Sequence, residues 1–176
     1  KQLNSGGASR GWAVGTVQPL VSVDFTDYFI LNTGAAKATS ASGVWNNVAP
    51  TASVFTCGDS SSYNFTNEND QTYIAYCWHN VDGYSKIGSY MGNGNVDGEF
   101  QYTGFSPAYV IIKHVTTAPT NWSIYDSARD LYKNHRDTVL SANNTDAEGG
   151  SSATYRLDML SNGFKLRNTN VLTNTN

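Results

Sequence analysis

Three features of the 176-residue sequence predict an all-β fold, an antiparallel β-sandwich of jelly-roll or lectin-like kind with at most one short helix. Short runs rich in Val, Ile, Tyr, Phe and Thr are separated by clusters of Gly, Asn, Asp and Ser, the pattern of strands joined by tight turns. Charged residues are only 14% of the chain, with 16 Gly and 11 Tyr, whereas a helical enzyme would carry far more Glu, Lys, Ala and Leu. The third feature is self-similarity at long range. Gly11-Trp12-Ala13-Val14 is echoed by Asn121-Trp122-Ser123-Ile124, Trp45 by the aromatic Tyr155, and Ser53-Val54-Phe55-Thr56-Cys57 by Asn162-Gly163-Phe164-Lys165-Leu166. Trp122 and Tyr155 each follow their counterparts by 110 positions and Phe164 follows Phe55 by 109. Matches that stay in step predict a tandem duplication, with a first repeat unit over 1–82, a second over 83–176, and one core shared between them.

The elements follow in chain order. Residues 12–17 and 28–32 carry Trp-Ala-Val and Tyr-Phe-Ile-Leu runs, and 53–57 and 72–78 carry Val-Phe and Tyr-Ile-Ala-Tyr. Residues 87–91, 98–102 and 108–114 follow, the last opening just after Pro107, where a missing N–H costs no ladder bond. The strands 122–126, 139–142, 155–160 and 164–167 complete the set, and only residues 126–133 look helical, over one or two turns. The repeat register also implies that both ends are cut. The strand-like 108–112 has no first-copy equivalent after Lys1, and the chain stops at Asn176 before any second copy of 72–78. With no initiator Met, the chain is expected to be a segment of a longer polypeptide or a processed one.

The formal charge of −3, the pI near 5.5 and the absence of a Lys/Arg run argue against a nucleic-acid-binding face. No stretch approaches the roughly 18 apolar residues that span a bilayer, and no signal peptide is visible. Cys57 and Cys77 lie on successive predicted strands and could face each other in a disulfide. The repeat puts Cys57 in the place of Leu166, which favours a small buried apolar side chain instead. Metal binding by Cys57, Cys77 and His79 lacks a second close ligand pair.

Gly83-Tyr84-Ser85-Lys86-Ile87-Gly88-Ser89-Tyr90-Met91-Gly92-Asn93-Gly94, Tyr102-Thr103-Gly104-Phe105-Ser106-Pro107-Ala108, Asn121-Trp122-Ser123-Ile124-Tyr125-Asp126-Ser127-Ala128-Arg129-Asp130 and Leu160-Ser161-Asn162-Gly163-Phe164-Lys165-Leu166-Arg167 carry a family resemblance. Together they are similar to a repeated, functionally uncharacterised module of tail-fibre-like and other structural proteins of marine tailed bacteriophages. The first copy resembles it through Leu31-Asn32-Thr33, Trp45-Asn46, Ala49-Pro50-Thr51 and Tyr73-Ile74-Ala75-Tyr76-Cys77-Trp78, and departs at Trp78, often Phe in the family, and around residues 18–27. The resemblance implies a place on the virion, near the host surface, and brings no catalytic residues.

Chemistry is otherwise sparse. Asp97/Glu99, Asp126/Asp130 and Asp146/Glu148 are the carboxylate pairs that a glycan-cutting enzyme would need about 5 to 10 Å apart. Each is better explained by wet turn or loop chemistry, and Asp126 and Asp130 by ion pairing with the intervening Arg129. His79, His114 and His135 are scattered, and no Gly-x-Ser-x-Gly elbow, phosphate loop or zinc spacing is present. Asn67-Glu68-Asn69-Asp70 and Asn93-Gly94-Asn95-Val96-Asp97 offer oxygen ligands in turns but not a spaced calcium loop. Sugars stack on exposed aromatic faces. Trp12, Trp122 and Trp45 have repeat partners and are expected to serve the core, whereas Trp78, Tyr63, Tyr102 and Tyr132 have none and are the expected ligand contacts.

The sequence therefore reads as a non-enzymatic virion component, part of a tail fibre or similar appendage. Its expected partners are other copies of itself, other virion proteins and host surface polysaccharide, with no nucleic acid, no membrane insertion, no metal and no cofactor. The rival readings are a capsid fibre or decoration protein of purely architectural role, and a polysaccharide depolymerase.

Overall fold

Ten short strands carry the fold among the described residues, and every pairing between them is antiparallel. The computed structural model describes residues 1–3, 11–21, 24–40, 43–58, 66–129, 134–149 and 152–175. The chain divides into two units, Lys1–Cys77 with Val115–Ala118, and Trp78–His114 with Pro119–Asn176. The all-β, antiparallel class is as expected.

In the first unit β1 (Ala13–Val14), β2 (Asp27–Ile30) and β3 (Ala38–Thr39) form a sheet in that order. Tyr28, Phe29, Phe25, Val21 and Val44 are buried, and the rings of Phe25 and Trp45 pack 5.3 Å apart. A charge is buried with them. Asp27 accepts from Lys37 Nζ at 2.5 Å and from Thr39 Oγ1 at 2.6 Å, and Lys37 Nζ also donates to the Val21 carbonyl at 2.8 Å. Burial opposes ionisation of Asp27, but these donors outweigh it and hold the carboxyl below its usual range.

The second unit holds β4 (Phe100–Tyr102), β5 (Tyr109–Lys113), β6 (Trp122–Asp126), β7 (His135–Arg136), β8 (Leu140–Ser141), β9 (Leu157–Leu160) and β10 (Gly163–Leu166). One sheet runs β4-β10-β9-β7 and the other β5-β6-β8. Alternation aims Val110 and Ile112 of β5 inward while Tyr109 and Ile111 face out. Leu157, Met159, Phe164 and Leu166 turn in from the first sheet to join Val110, Ile112, Tyr125 and Val139 in one cluster, as the two layers of a sandwich do. Each such side chain contributes about 1.5–3 kcal/mol of burial. At Gly163 a Cβ would lie 2.2 Å from the Gln101 carbonyl oxygen and 2.7 Å from the Phe100 ring, so only glycine lets β4 approach.

The last residues are stitched to the loop before β4. Asn174, fully buried, donates through Nδ2 to the carbonyls of Asn95 (2.7 Å) and Asn168 (2.6 Å), and its Oδ1 accepts from the Asn93 N–H at 3.2 Å. Within that loop Asn93 Oδ1 accepts from the Asn95 N–H and Asn95 Oδ1 from the Asp97 N–H, both at 2.9 Å. The oxygens that could have served a cation thus shape the turn.

Two corners of the chain share one arrangement. The Trp12 N–H donates to Asn32 Oδ1 and the Trp122 N–H to Asn143 Oδ1, each at 2.8 Å. The carbonyl of Trp12 accepts from Leu31 N–H and that of Trp122 from Ala142 N–H. The likeness stops before Phe55. Phe164 is buried at 9% exposure, whereas its repeat counterpart Phe55 is 43% exposed, so the burial that the repeat implies for both holds for Phe164 and is corrected for Phe55. Residues 53–57 are not a strand, because a local turn captures them: the Thr51 N–H bonds the Val54 carbonyl, and Thr51 Oγ1 accepts from the Ser53 and Val54 N–H groups. Residues 72–78 and 87–91 are likewise not strands, the first reduced to a single bridge between Gln2 and Tyr73.

Of the Trp residues expected in the core, Trp122 is buried, while Trp12 and Trp45 are only half-buried, Trp12 stacking on Tyr76 at 5.8 Å. The expected helix at 126–133 is a turn at 127–129 in its described part, and a 3-10 turn, Ala153–Tyr155, occurs instead, capped by Ser152. Cys57 and Cys77 are free thiols.

Phe164→Ala is expected to cost about 3–5 kcal/mol in a denaturant melt, and Phe55→Ala less than about 1 kcal/mol. Equal losses would show that the core is misassigned. Asp27, whose folded carboxyl titrates below the usual 3.8, contributes stability that is complete above that value and is lost as pH falls through the folded one. Asp27→Asn should therefore flatten the acid limb of the stability profile below about pH 4, measured by melts across pH. An unchanged limb would assign the acid sensitivity elsewhere.

Candidate functional site

The second unit presents a cleft of about 320 Å³ between the segment from Asn80 to Lys86 and the end of β4 at Tyr102, Thr103 and Gly104. The first wall is a tight hairpin. Val81 and Ser85 exchange both backbone hydrogen bonds at 2.9 Å, and Gly83 takes a φ of +74° that glycine adopts without strain. Ser85 Oγ donates to the His79 carbonyl at 2.7 Å, and Asn80 Oδ1 accepts from the Ile87 N–H at 2.7 Å. These bonds fix the hairpin, whose polar residues Asn80, Asp82 and Lys86 line the cleft. The opposite wall is anchored by the Thr103 and Gly104 N–H groups, which share the Asn162 carbonyl at 3.0 and 3.2 Å. The Tyr102 ring, 67% exposed, lies beside the bare Cα of Gly104.

Of the residues expected to touch a ligand, Tyr102 lines this cleft. Trp78 is 74% exposed and two positions before Asn80, but is not part of the lining. Tyr63 and Tyr132 lie outside the described residues. The sequence reading missed the hairpin itself, including the 81% exposed Tyr84. The Asp82-Gly83 pair was the signal for it, since Asp-Gly marks a tight turn.

Four of the paired carboxylates, Asp97, Asp126, Asp146 and Glu148, are engaged elsewhere. Asp97 accepts from Lys165 Nζ at 2.8 Å and Arg167 Nη1 at 2.9 Å, and Arg167 Nε donates to Asp158 at 2.7 Å. The Lys165 hydrogen bond and charge, with Arg167 behind them, hold the Asp97 carboxyl below its usual range. Asp126 and Glu148 are both paired to Arg129. Burial works against ionisation of Asp126, and the bonds from Arg129 outweigh it. Asp130 lies outside the described residues, and Asp146 accepts from the Asn144 side chain at 2.7 Å. A general acid needs a raised pKa, and Asp97 and Asp126 move the other way.

Lys113 is a basic group whose titration is displaced downward. Burial lowers its ammonium to about 8, and Nζ donates to the Thr120 carbonyl and hydroxyl at 2.8 and 2.7 Å, a structural duty at the end of β5. His79 contacts its neighbour's carbonyl, and His135 lies 3.8 Å from Asp137. Among the described residues no three His, Cys, Asp or Glu side chains gather as a metal site, and no helix is long and apolar enough to cross a membrane.

No curated protein and no solved structure matches the chain. Residues 3–176 match one family throughout, and the chain belongs to it: a domain of unknown function, DUF7483.

Proposed function

We propose that the chain is a non-enzymatic structural and adhesive component of a bacteriophage virion, built from duplicated units and contacting host surface glycans through the Tyr102 cleft. The observation that carries this reading is the cleft's make-up. An exposed aromatic face stands opposite Asn80, Asp82 and Lys86, which suits a sugar ring stacked on its apolar face and hydrogen-bonded at its hydroxyls. The resemblance to tail-fibre-like modules supplies the virion setting. Single contacts of this kind are weak, and several copies in one appendage convert them into firm attachment. Self-association is favoured by β5, an edge strand whose Tyr109 and Ile111 are 56% and 42% exposed. The ion-paired states of Asp97, Asp126 and Glu148 favour binding over hydrolysis.

The test is an array of bacterial surface polysaccharides probed with the chain, followed by chromatography of the bound glycan. The expected result is retention of intact polysaccharide, weakened about tenfold in Tyr102→Ala, the loss of one stacking contact worth about 1.4 kcal/mol. Unchanged binding by Tyr102→Ala would move the contact away from the cleft. Release of short oligosaccharides that ceases in Asp97→Asn/Glu99→Gln would replace the adhesin with a depolymerase.

A further inference from the structure

A second concavity opens on the outer face of the β4-β10-β9-β7 sheet, a groove of about 490 Å³ lined by Val96, His135, Ala153, Arg156, Asp158 and Arg167. The charges in it are unequally committed. Arg167 is paired with Asp158 and Asp97, and Asp97 also with Lys165. Arg156 is exposed, and no carboxylate among the described residues pairs with it. Its backbone is nonetheless fixed: the Arg156 carbonyl accepts from the Asn168 side chain and the Arg167 N–H, both at 2.9 Å, and the next residue, Leu157, is fully buried. His135 stands opposite Asp158 in the β7–β9 ladder. A guanidinium held at its root and with no carboxylate partner among the described residues, in a groove of ligand size, is a ready partner for a planar or tetrahedral oxyanion.

We propose that this groove recognises an acidic sugar, its carboxylate or phosphate bound by Arg156 and its hydroxyls by His135 and Asp158. Nucleic acid is disfavoured, because one available Arg in a groove that also carries Asp158, on a chain of net charge −3, cannot neutralise a run of phosphates. A sugar unit with one charge among neutral hydroxyls fits the same pattern. This site is separate from the Tyr102 cleft, and its existence does not depend on that cleft binding anything.

The experiment is titration of the isotopically labelled chain, followed by 1H–15N spectra, with an oligogalacturonate, its carboxyl-reduced neutral counterpart, and glucose 6-phosphate. The proposal expects saturable shifts at His135, Arg156 and Asp158 with at least one anionic sugar. A response to oligogalacturonate assigns a uronate and a response to glucose 6-phosphate assigns a sugar phosphate. The neutral oligosaccharide should bind at least about tenfold more weakly, as should the anionic sugar to Arg156→Ala, the loss of one charge-assisted hydrogen bond pair. Arg156→Lys, which keeps the charge without the fork, should fall between, and Tyr102→Ala should bind as the parent does. Spectra of the unliganded variants show that the fold is kept. No saturable shift with either anion, equal binding of the neutral oligosaccharide, or full binding by a folded Arg156→Ala would overturn the proposal. Loss of binding in Tyr102→Ala would overturn its independence from the cleft.

Discussion

The register of β10 between β4 and β9 sets which side of the sheet each functional or core side chain occupies. Phe164 lies opposite Met159 and Gln101, Leu166 opposite Leu157, and Lys165 opposite Asp158 and Phe100. With a side-chain period of two, Phe164, Leu166, Leu157 and Met159 enter the core together while Lys165, Asp158 and Phe100 share the outer face. A slip of β10 by one residue would drive Lys165 into the cluster around Tyr125, at a cost of several kcal/mol for the unpaired charge, and expose Phe164 and Leu166, two of the best-buried side chains. Gly163 makes that register sterically possible, because β4 lies where any other side chain would stand.

From that one alignment the outer surface follows. The charges placed outside are arranged to satisfy one another, Asp97 bridging Lys165 and Arg167 while Asp158 takes the far side of Arg167. What is left over is informative: Tyr102 at the end of β4 with the hairpin of Val81 and Ser85 beside it, and Arg156 just before β9. The fully buried Asn174 holds the loop preceding β4 by two side-chain hydrogen bonds, at Asn93 and Asn95, and is itself tied to Asn168 by a third, so the edge of this sheet is braced by residues that follow β10. Binding surfaces supported from beneath in this way lose little entropy when a weak ligand arrives.

Periodicity made β6 legible over its whole length, Trp122–Asp126, and it placed β5, β9 and β10 to within two residues. There the apolar residues alternate and a partner strand exists to receive them. The same β-rich composition misled at Val54-Phe55 and across residues 72–78 and 87–91, where the side chains are largely exposed and no ladder forms. Strand propensity describes fitness for a half-buried pleated surface and cannot supply the surface. β3 and β7, two residues each, carry no apolar alternation and were invisible, being strands only because β2 and β9 lie beside them. Of the site, the exposure of Tyr102 and Trp78 was readable from their lack of repeat partners. The hairpin wall and Arg156 were not, since one depends on a pair of backbone bonds and the other on which carboxylates have already found a cation.

The alignment of β10 is tested most directly by cross-strand nuclear Overhauser contacts between backbone protons. The structure requires Lys165 to be seen against both Phe100 and Asp158, with Phe164 against Gln101 and Met159. Contacts displaced by one residue, with Gln101 opposite Lys165, would turn the sheet over and contradict the placement of both the core and the outer face.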